Sequence, residues 1–497
     1  TGLGKTMVAL AVASKLTNRC AGRMLILVPS SGKLMRQWHD AAIDWLDMSG
    51  SRIALPVFCI NKPVYKSDFV ASPHVKVVIM SHARVLREHK RVLEDPDSLS
   101  NLFDSQFDVI VIDEIHNGRK VNGIFNHALT DLVKKIDCPA IGLTATPVYN
   151  YPSDIAAIFK VLDMPEIPCG EDMVDLKDKK EWVDGSGLSE TTVSLAQPYM
   201  VSAPKRDVVR LPPLIMRDVP FDPKLSRRAA VFYNETLDKA LGKLNADEHS
   251  KDERKNVLNA LIKLRFLLMC EKLVNIPSLR SGFRGLPPGR YIRRSNAVEW
   301  AETNSNGLLE MLFKRVRRAL IAMRKSDPSN RRVIIASDFV APLIVARRYL
   351  ERKQSDSNTL KSCTFFDFNG DLDKQDRDAA IDTFLKTQDA VLFLSIKAGG
   401  VGLNITPCSR MIFFGAMPWS PATLDQCVAR IRRIGCTDNV PFVVEKLRAK
   451  GSADDAILKM HEGKQHLIDA VMHDDMDSAE LYSEWKKCVA VIRDCAH

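Results

Sequence analysis

The sequence begins with residues that could hold a phosphate group. Gly2, Gly4, Lys5 and Thr6 lie in TGLGKT, which matches the second half of the pattern G-x-x-x-x-G-K-[ST]. The apolar-periodic stretch MVALAVASKL follows at once and predicts a helix, whose N-terminal N–H groups would favour phosphate. The first half of the pattern is missing. We therefore expect a chain truncated within this loop, which binds ATP poorly until the upstream segment is restored.

A pair of carboxylates follows a second apolar run. In DVIVIDEIH (108–116), four apolar residues precede Asp113 and Glu114. A buried strand of this kind delivers its terminal acids to the carboxyl edge of a parallel sheet, where open α/β sheets bind ligands. There Asp113 would hold Mg²⁺ through water and Glu114 would polarise an attacking water. A solvated acidic turn is the alternative, and the preceding Gly-Lys-Thr helix makes it the weaker one.

Two further segments follow predicted strands. GLTATP (142–147) carries Thr144 and Thr146, whose hydroxyls could bond back to the acidic pair and relay the state of a nucleotide. Three glycines in SIKAGGVGLNIT (395–406) would let the backbone approach a ligand closely. Either segment alone is compatible with an ordinary turn.

Two arginines near the end of the chain could assist phosphoryl transfer. LDQCVARIRRIG (424–435) carries Gln426, Arg430 and Arg433, and the two arginines share one helix face. Guanidinium groups in such a pair can stabilise the charge that develops in the transition state. A basic surface helix would show the same pattern.

Two α/β regions are needed to position these segments. Short apolar runs alternate with helical patterns from residue 1 to about 165 and again from about 305 to 450, which predicts buried parallel strands. Residues 170–300 differ, with polar turns, proline pairs, a helical stretch from Pro223 to Val274 and an arginine-rich segment at 280–294. The predicted strands lie within 24–29, 75–81, 108–114, 140–147, 332–339, 363–370, 390–395, 410–416 and 441–447.

The composition indicates a globular, basic protein. The chain has 497 residues, a formal net charge of +10 and 45% hydrophobic residues, as expected for a globular protein with a polyanionic partner. Its 11 cysteines form no C-x-x-C pair, which favours reduced thiols over a disulfide frame or a zinc site. No run approaches the roughly 20 apolar residues of a membrane span. We expect an intracellular protein, cytoplasmic in a bacterial or viral host rather than nuclear.

In their order, these motifs resemble those of superfamily-two nucleic-acid motors, and more closely those of Swi/Snf-type DNA-dependent ATPases. The resemblance covers residues 1 to about 472. SIKAGGVGLNIT is similar to that family's motif five, QCVARIRRIG to its motif six and residues 443–468 to its closing helix. Departures such as TATP for TGTP and Cys436 in place of a glutamine indicate a divergent microbial or viral branch.

The resemblance implies an α/β fold with two tandem RecA-like parallel-sheet domains. Residues 1–169 would form the first domain, incomplete at its N-terminus, and 305–472 the second. Residues 170–304 would form helical insertions and a basic linker, and 473–497 a C-terminal helical tail.

The same resemblance implies that ATP and Mg²⁺ bind in the cleft between the domains. Gly2, Gly4, Lys5, Thr6 and Gly402 would bind the nucleotide, with Thr6 and Asp113 at the metal. Asp113, Glu114, Gln426, Arg430 and Arg433 would carry the catalytic chemistry. His116, Thr144 and Thr146 would couple the nucleotide to the nucleic acid.

The implied partner is DNA, most simply double-stranded and bound without sequence specificity. Contacts through backbone amides and cations would give such sequence-independent, salt-sensitive binding. The implied contact residues are Pro29, Ser30, Ser81, Lys397, Gly399, Gly400, Asn404, Arg290, Arg293 and Arg294. For the last three, an exposed linker is an equal alternative.

Three functions remain open at this point. The first is an ATP-driven translocase or remodeller of protein–DNA complexes. The second is a strand-separating DNA or RNA helicase, which shares every motif. The third is a nucleic-acid clamp that does not hydrolyse ATP, against which the presence of Lys5, Asp113, Glu114, Arg430 and Arg433 argues.

Overall fold

The structure is a computed structural model that describes residues 5–17, 22–30, 32–48, 57–60, 76–95, 102–120, 122–145, 153–164, 199–201, 211–244, 264–269, 307–399, 405–406, 408–415, 418, 421–429, 431–432, 440–450 and 452. Contacts between residues divide the chain into two units. The first consists of Thr1–Val209, Val401–Leu403 and His466–Tyr482, and the second of Arg210–Gly400, Asn404–Gln465 and Ser483–His497. Each unit contains one β-sheet with helices packed against it.

The first unit is built on a five-stranded sheet. Its strands are β1 (Met24–Val28), β2 (Val57–Ile60), β3 (Val77–Ser81), β4 (Val109–Asp113) and β5 (Ala140–Leu143). They lie in the order β2-β3-β1-β4-β5, and all described pairs are parallel. The helices are α1 (Lys5–Leu16), α2 (Gly32–Met48), α3 (His82–Glu94), α4 (Ile124–Ile136) and α5 (Ser153–Val161), with a 3-10 turn at Ile115–Gly118. The four strands predicted here are confirmed. The fifth strand, β2, was not predicted, because its apolar run is only four residues long.

The central strands of this sheet are buried on both faces. Even-numbered residues of β1 such as Ile26 pack with α1 and α2, while Leu25 and Leu27 pack with α3 and α4. The alternation follows from the pleat, because successive side chains of a strand point to opposite faces. Each fully buried aliphatic side chain contributes about 1.5–3 kcal/mol. A continuous apolar run is therefore the expected sequence of such a strand.

The second unit is built on a six-stranded sheet. Its strands are β6 (Leu214–Phe221), β7 (Arg331–Ser337), β8 (Thr364–Phe368), β9 (Asp389–Ser395), β10 (Arg410–Phe413) and β11 (Phe442–Ala449). They lie in the order β6-β11-β10-β7-β9-β8 with parallel neighbours, so all five strands predicted here are confirmed. The helices are α6 (Arg227–Leu244), α7 (Leu308–Ser326), α8 (Val340–Gln354), α9 (Lys374–Lys386) and α10 (Pro421–Ala429), with one helical turn at Ile396–Gly399. None of the helices in the described ranges is long and apolar enough to cross a bilayer.

Strand β6 lies inside the region for which the sequence suggested helical insertions and a linker. It pairs with β11 along its whole length, from Leu214 beside Phe442 to Phe221 beside Ala449. Its buried residues Val219 and Phe221 share one core cluster with α7 and β7. The prolines around it and its mixture of charged and apolar residues hid this strand from the sequence pattern. The domain boundaries themselves remain predictions.

A close approach between Gly142 of β5 and Ile115 fixes the chain just after β4. A Cβ atom added at Gly142 would lie 2.8 Å from Ile115 Cδ1 and 3.3 Å from its Cγ2. Ile115 is itself buried, so it has little room to withdraw. Only glycine lets β5 lie this close to the turn that carries Glu114 and His116.

Replacing Gly142 with alanine should therefore lower the free energy of unfolding by about 1–3 kcal/mol, the usual cost of overpacking a core. Urea unfolding followed by circular dichroism measures the change. The double variant G142A/I115V should recover part of the loss, because it removes the methyl group that the new Cβ meets first. Equal midpoints for G142A and the wild-type chain would refute the packing argument.

Candidate functional site

The polar residues singled out in the first unit meet at the carboxyl edge of its sheet. In the register of the sheet, Val28 of β1 pairs with Ser81 of β3, and Leu27 of β1 pairs with Ile112 of β4. Asp113, the last residue of β4, pairs with Leu143 of β5. Because these strands are parallel, the residues that follow them share one edge. Helix α1 packs against β4 and β5 and begins at Lys5.

Asp113 is buried and held by two donors. The indole Nε1 of Trp38 donates to Oδ2 at 2.9 Å, and the backbone N–H of Glu114 donates to Oδ1 at 3.0 Å. Burial raises the pKa of Asp113 to about 6, and the neighbouring Glu114 adds to the rise. The two hydrogen bonds and the charge of Lys5 oppose it. The carboxylate is thus fixed in direction and ready to bind a cation.

Lys5 places a buried positive charge beside this carboxylate. Its Nζ is inaccessible to solvent and, among the described residues, has no hydrogen-bond partner. A buried ammonium without partners is unfavourable, so the position is suited to an anion that supplies them. The groups present fit a nucleotide with a divalent cation: an ammonium for phosphate, and the hard oxygen donors of Asp113 and Thr6 for Mg²⁺.

Glu114 has an unusual backbone conformation. Its φ and ψ of 50° and 49° lie in the left-handed region, which a residue with a side chain adopts at a cost of roughly 1–2 kcal/mol. Glu114 lies between the last residue of β4 and the first residue of the 3-10 turn, so the chain changes direction at this carboxylate. The Glu114 side chain is 20% exposed, which leaves it within reach of a bound water.

His116 connects the acidic pair to the end of β5. Its Nδ1 lies 3.0 Å from Thr144 Oγ1 and 3.2 Å from Glu114 Oε2. The predicted contact of Thr144 with the acidic pair thus runs through His116. A change at Glu114 can reach the segment after β5 by this route.

Two residues of this site were not indicated by the sequence. Trp38 lies in α2, far along the chain from Asp113, and the sequence pattern assigns it only to the apolar face of a helix. His82 follows β3 directly and stacks 4.8 Å from Phe125. Burial lowers the pKa of His82 to about 4, so the ring is neutral near pH 7. Its position at the end of a strand was the only available signal.

The predicted nucleic-acid contacts of the first unit lie at the same edge. The hydroxyl of Ser30 accepts a hydrogen bond from the N–H of Ala83 at 3.3 Å and so ties the end of β1 to the start of α3. Ser30 is exposed, Ser81 is half-buried and Pro29 is buried. Pro29 could therefore offer a ligand only its backbone.

In the second unit, Lys397 follows β9 in the turn that ends at Gly399. Its side chain is 69% exposed, its Nζ lies 3.6 Å from Asp338 Oδ2, and it stands 5.3 Å from the ring centre of Phe339. Asp338, by contrast, is buried. Gln426 lies half-buried on α10.

Several predicted residues lie outside the described ranges. They stay predictions, and they comprise Gly2, Gly4, Thr146, Arg290, Arg293, Arg294, Gly400, Gly402, Asn404, Arg430 and Arg433.

Two protein-family models match the chain. Residues 1–149 match "Type III restriction enzyme, res subunit", and residues 313–435 match "Helicase conserved C-terminal domain". The first match contains the TGLGKT, DEIH and TATP segments, and the second ends with the arginines of LDQCVARIRRIG.

Similar proteins include several chromatin-remodelling factors. The chain is 23% identical to the CHD3-type chromatin-remodeling factor CHR7 of Arabidopsis thaliana over 97% of its own length and 37% of the relative. It is 24% identical to the human SWI/SNF-related matrix-associated actin-dependent regulator of chromatin subfamily A member 1, over 97% of the chain and 42% of the relative. The chain thus spans about two fifths of these relatives.

A solved structure also matches. The Sulfolobus solfataricus SWI2/SNF2 ATPase core in complex with dsDNA is 20% identical, with 99% of this chain and 90% of that chain covered, at a TM-score of 0.35. At that score, individual residues of the two proteins cannot be superimposed.

The environment of Asp113 gives a pH-dependent prediction. Protonation of Asp113 would oppose binding of a cation, so Mg²⁺-dependent ATP binding should fall as the pH drops through about 6 or below. Trp38→Phe removes a hydrogen bond that favours the ionised carboxylate, worth about 1.5–3 kcal/mol. The pKa should rise further, and the loss of binding should move upward by about one to two pH units.

Titration of Mg²⁺–ATP at a series of pH values measures this shift. Phe107→Leu is the control, because it removes buried aromatic volume just before β4, at the opposite edge of the same sheet. A Trp38→Phe profile that overlays the wild-type profile would show that the indole N–H does not control Asp113.

Proposed function

Because the chain belongs to helicase superfamily two, we propose that it is an ATP-driven motor that moves along double-stranded DNA or remodels protein–DNA complexes. Two relatives that match nearly the whole chain are named as a chromatin-remodeling factor and as a regulator of chromatin, which supports duplex DNA as the track. The basic net charge of +10 agrees with a polyanionic partner.

The observation that carries this proposal is the convergence of Lys5, Asp113 and Glu114 at one sheet edge. Burying a cation without a hydrogen-bond partner beside two buried or half-buried acids costs free energy of desolvation. Without a ligand, nothing in the described structure fully offsets this cost. Together these three groups complement a nucleotide phosphate chain and a divalent cation, whose role when bound is to neutralise phosphate charge.

Each side chain then has a defined task. Lys5 would donate to the terminal phosphate oxygens, and Asp113 with the Thr6 hydroxyl would hold the cation, which would neutralise phosphate charge. Glu114, in its left-handed turn, would orient the nucleophilic water and accept a proton from it. Trp38 keeps the Asp113 carboxylate in place through all of these steps.

The contact of His116 with Glu114 and Thr144 supplies a coupling element. The position of Glu114 changes when its water is consumed, and His116 lies close enough to respond. Thr144 then passes the change to the segment after β5. We propose that this segment and the residues after β1 and β3 adjust the grip on DNA.

Lys397 is the described cation of the second unit with the clearest role in DNA binding. It is exposed beyond the carboxyl end of β9 and would contact phosphate without reading sequence. Asp338 lies 3.6 Å from it and competes with DNA for its charge. Binding through such contacts should weaken as the salt concentration rises.

The test is ATP hydrolysis by the protein with its phosphate-binding loop completed at the N-terminus, measured without nucleic acid and with duplex DNA, single-stranded DNA or RNA. Glu114→Gln is the matched variant, because it keeps the size of the side chain and removes its basic carboxylate. We expect strong stimulation by duplex DNA and a loss of at least about a hundredfold in turnover for Glu114→Gln.

The other outcomes favour other functions. Stimulation confined to single strands or RNA would contradict the translocase and favour strand separation. DNA binding without hydrolysis under every condition would favour a clamp. A triplex-displacement assay then separates movement along intact duplex from unwinding.

Thr144→Val tests the coupling element. The substitution keeps the branched shape and removes the hydroxyl that contacts His116. Basal hydrolysis should remain within about twofold, while stimulation by DNA should fall about tenfold, the size expected for one lost hydrogen bond in a buried network. Thr383→Val, an exposed threonine on α9, is the control. Equal stimulation in all three proteins would remove Thr144 from the coupling route.

A further inference from the structure

The second unit has a cavity of about 210 Å³ lined by α7, β6, β10 and β11. Three arginines contribute to its wall: Arg217 of β6, Arg318 of α7 and Arg410 of β10. Ile215, Ala319 and Met411 are among its apolar lining residues. The cavity thus combines apolar surface with several guanidinium groups.

This cavity lies at the amino edge of the second sheet. Arg410 is the first residue of β10, and Pro441 immediately precedes β11. Ala322 lies near the C-terminal end of α7, only a short loop before β7 begins. Lys397, in contrast, follows the carboxyl end of β9. The cavity is therefore separate from the residues proposed to bind DNA.

The charges around the cavity are unbalanced. Among the described residues that line it, Glu445 carries the one carboxylate, and Arg315 Nη1 lies 3.2 Å from its Oε1. Arg410 uses Nη1 to donate to the carbonyl oxygens of Ser409 at 3.0 Å and Pro441 at 2.7 Å. Those bonds position Arg410 but do not neutralise it.

The positive charges of Arg217 and Arg318 are accessible to a ligand in the cavity. Across the described ranges, neither takes part in an ion pair or donates a side-chain hydrogen bond. Both are exposed at the mouth of the cavity. Burial lowers the pKa of Arg410, and the positive charge of Arg217 lowers it further, so an added anion would relieve this repulsion.

The strand that carries Arg217 is also the last in the sheet. In the described part of the chain β6 pairs only with β11, and no other strand of that part lies along its outer edge. Ile215 and Arg217 point to the cavity, while Leu214 and Met216 lie on the opposite face, 38% and 39% exposed. Asp218 on that opposite face is paired with Lys446 at 3.4 Å. The edge offers guanidinium groups on one face and apolar groups on the other.

We propose that the cavity and the outer edge of β6 bind an acidic protein segment in extended conformation. Its carboxylates would enter the cavity to meet Arg217, Arg318 and Arg410, and its alternate apolar side chains would cover Leu214 and Met216. Arginine forms strong paired hydrogen bonds with carboxylates, and strand addition supplies backbone hydrogen bonds.

Size and shape favour this ligand over the alternatives. Pockets for whole small molecules usually measure about 300–1,000 Å³, whereas this cavity admits one or two side chains. A DNA duplex offers phosphates but no alternating apolar side chains, so it would leave Leu214 and Met216 uncovered. The proposal is independent of the ATP-driven activity, because none of its residues belongs to the nucleotide site.

The probe is a fluorescein-labelled octapeptide of alternating Glu and Val, titrated with the whole chain at about 0.15 M salt to screen weak surface attraction. Anisotropy should show saturable binding, and R217Q/R318Q should weaken it at least about tenfold. Both arginines are exposed, so this variant should unfold at the wild-type urea concentration. The matched control is K361Q/K386Q, which removes two exposed charges beside β8 at the other end of the sheet.

Two peptides and one competitor complete the test. A Lys-Val octapeptide should not bind, and a peptide with four Glu followed by four Val should bind at least about tenfold more weakly, because it cannot match both faces of β6. The proposal is overturned if binding of the alternating Glu-Val peptide does not saturate, or if K361Q/K386Q loses as much affinity as R217Q/R318Q. It is also overturned if the peptide of four Glu followed by four Val binds as tightly as the alternating peptide. Displacement by short duplex DNA would also overturn it and assign the cavity to nucleic acid.

Discussion

Two opposite charges are buried at the carboxyl edge of the first sheet, and the candidate site depends on them. The ammonium of Lys5 is buried without a hydrogen-bond partner in the described structure. The carboxylate of Asp113 is also buried, and the charge of Lys5 lowers its pKa. Neither group gains full compensation from the other, because the pKa of Asp113 remains raised. Such a pair is stable only as part of a fold that forces it, and it becomes favourable when phosphate and a cation complete it.

The fold forces this pair through contacts that are distant in sequence. Strands β1, β3, β4 and β5 end in register and so form one edge of the sheet. The apolar clusters packed on both faces of the sheet hold the strands in this register. Trp38 reaches Asp113 from α2, and the absence of a side chain at Gly142 lets Ile115 settle against β5. The left-handed conformation of Glu114 is maintained by this packing, so the strain is located where a water would be activated.

Nine strands were predicted from their short apolar runs, which are continuous in central strands such as β1 and β4 because both faces of those strands are buried. Strand β2 is also apolar, but its four residues are too short a run to distinguish from other apolar segments. The sequence pattern did not predict β6, whose exposed edge allows arginine, aspartate and proline. The carboxylates of the site were predictable because they follow a strand directly. Trp38, His82 and the Asp338–Lys397 pair were not, because these contacts join positions far apart in the chain or positions with no distinctive pattern.

Lys5→Met, made in a chain with a completed phosphate-binding loop, shows whether the buried ammonium of Lys5 binds phosphate. Unfolding temperatures of the wild-type chain and the variant should be compared without ligand and with Mg²⁺–ATP at increasing concentration. Without ligand, the variant should be about as stable as the parent chain, because the relief of a buried ammonium offsets the loss of its attraction for Asp113. With ligand, only the wild-type chain should gain stability, by the amount that its affinity dictates. A variant that is less stable alone yet stabilised equally by Mg²⁺–ATP would contradict the account.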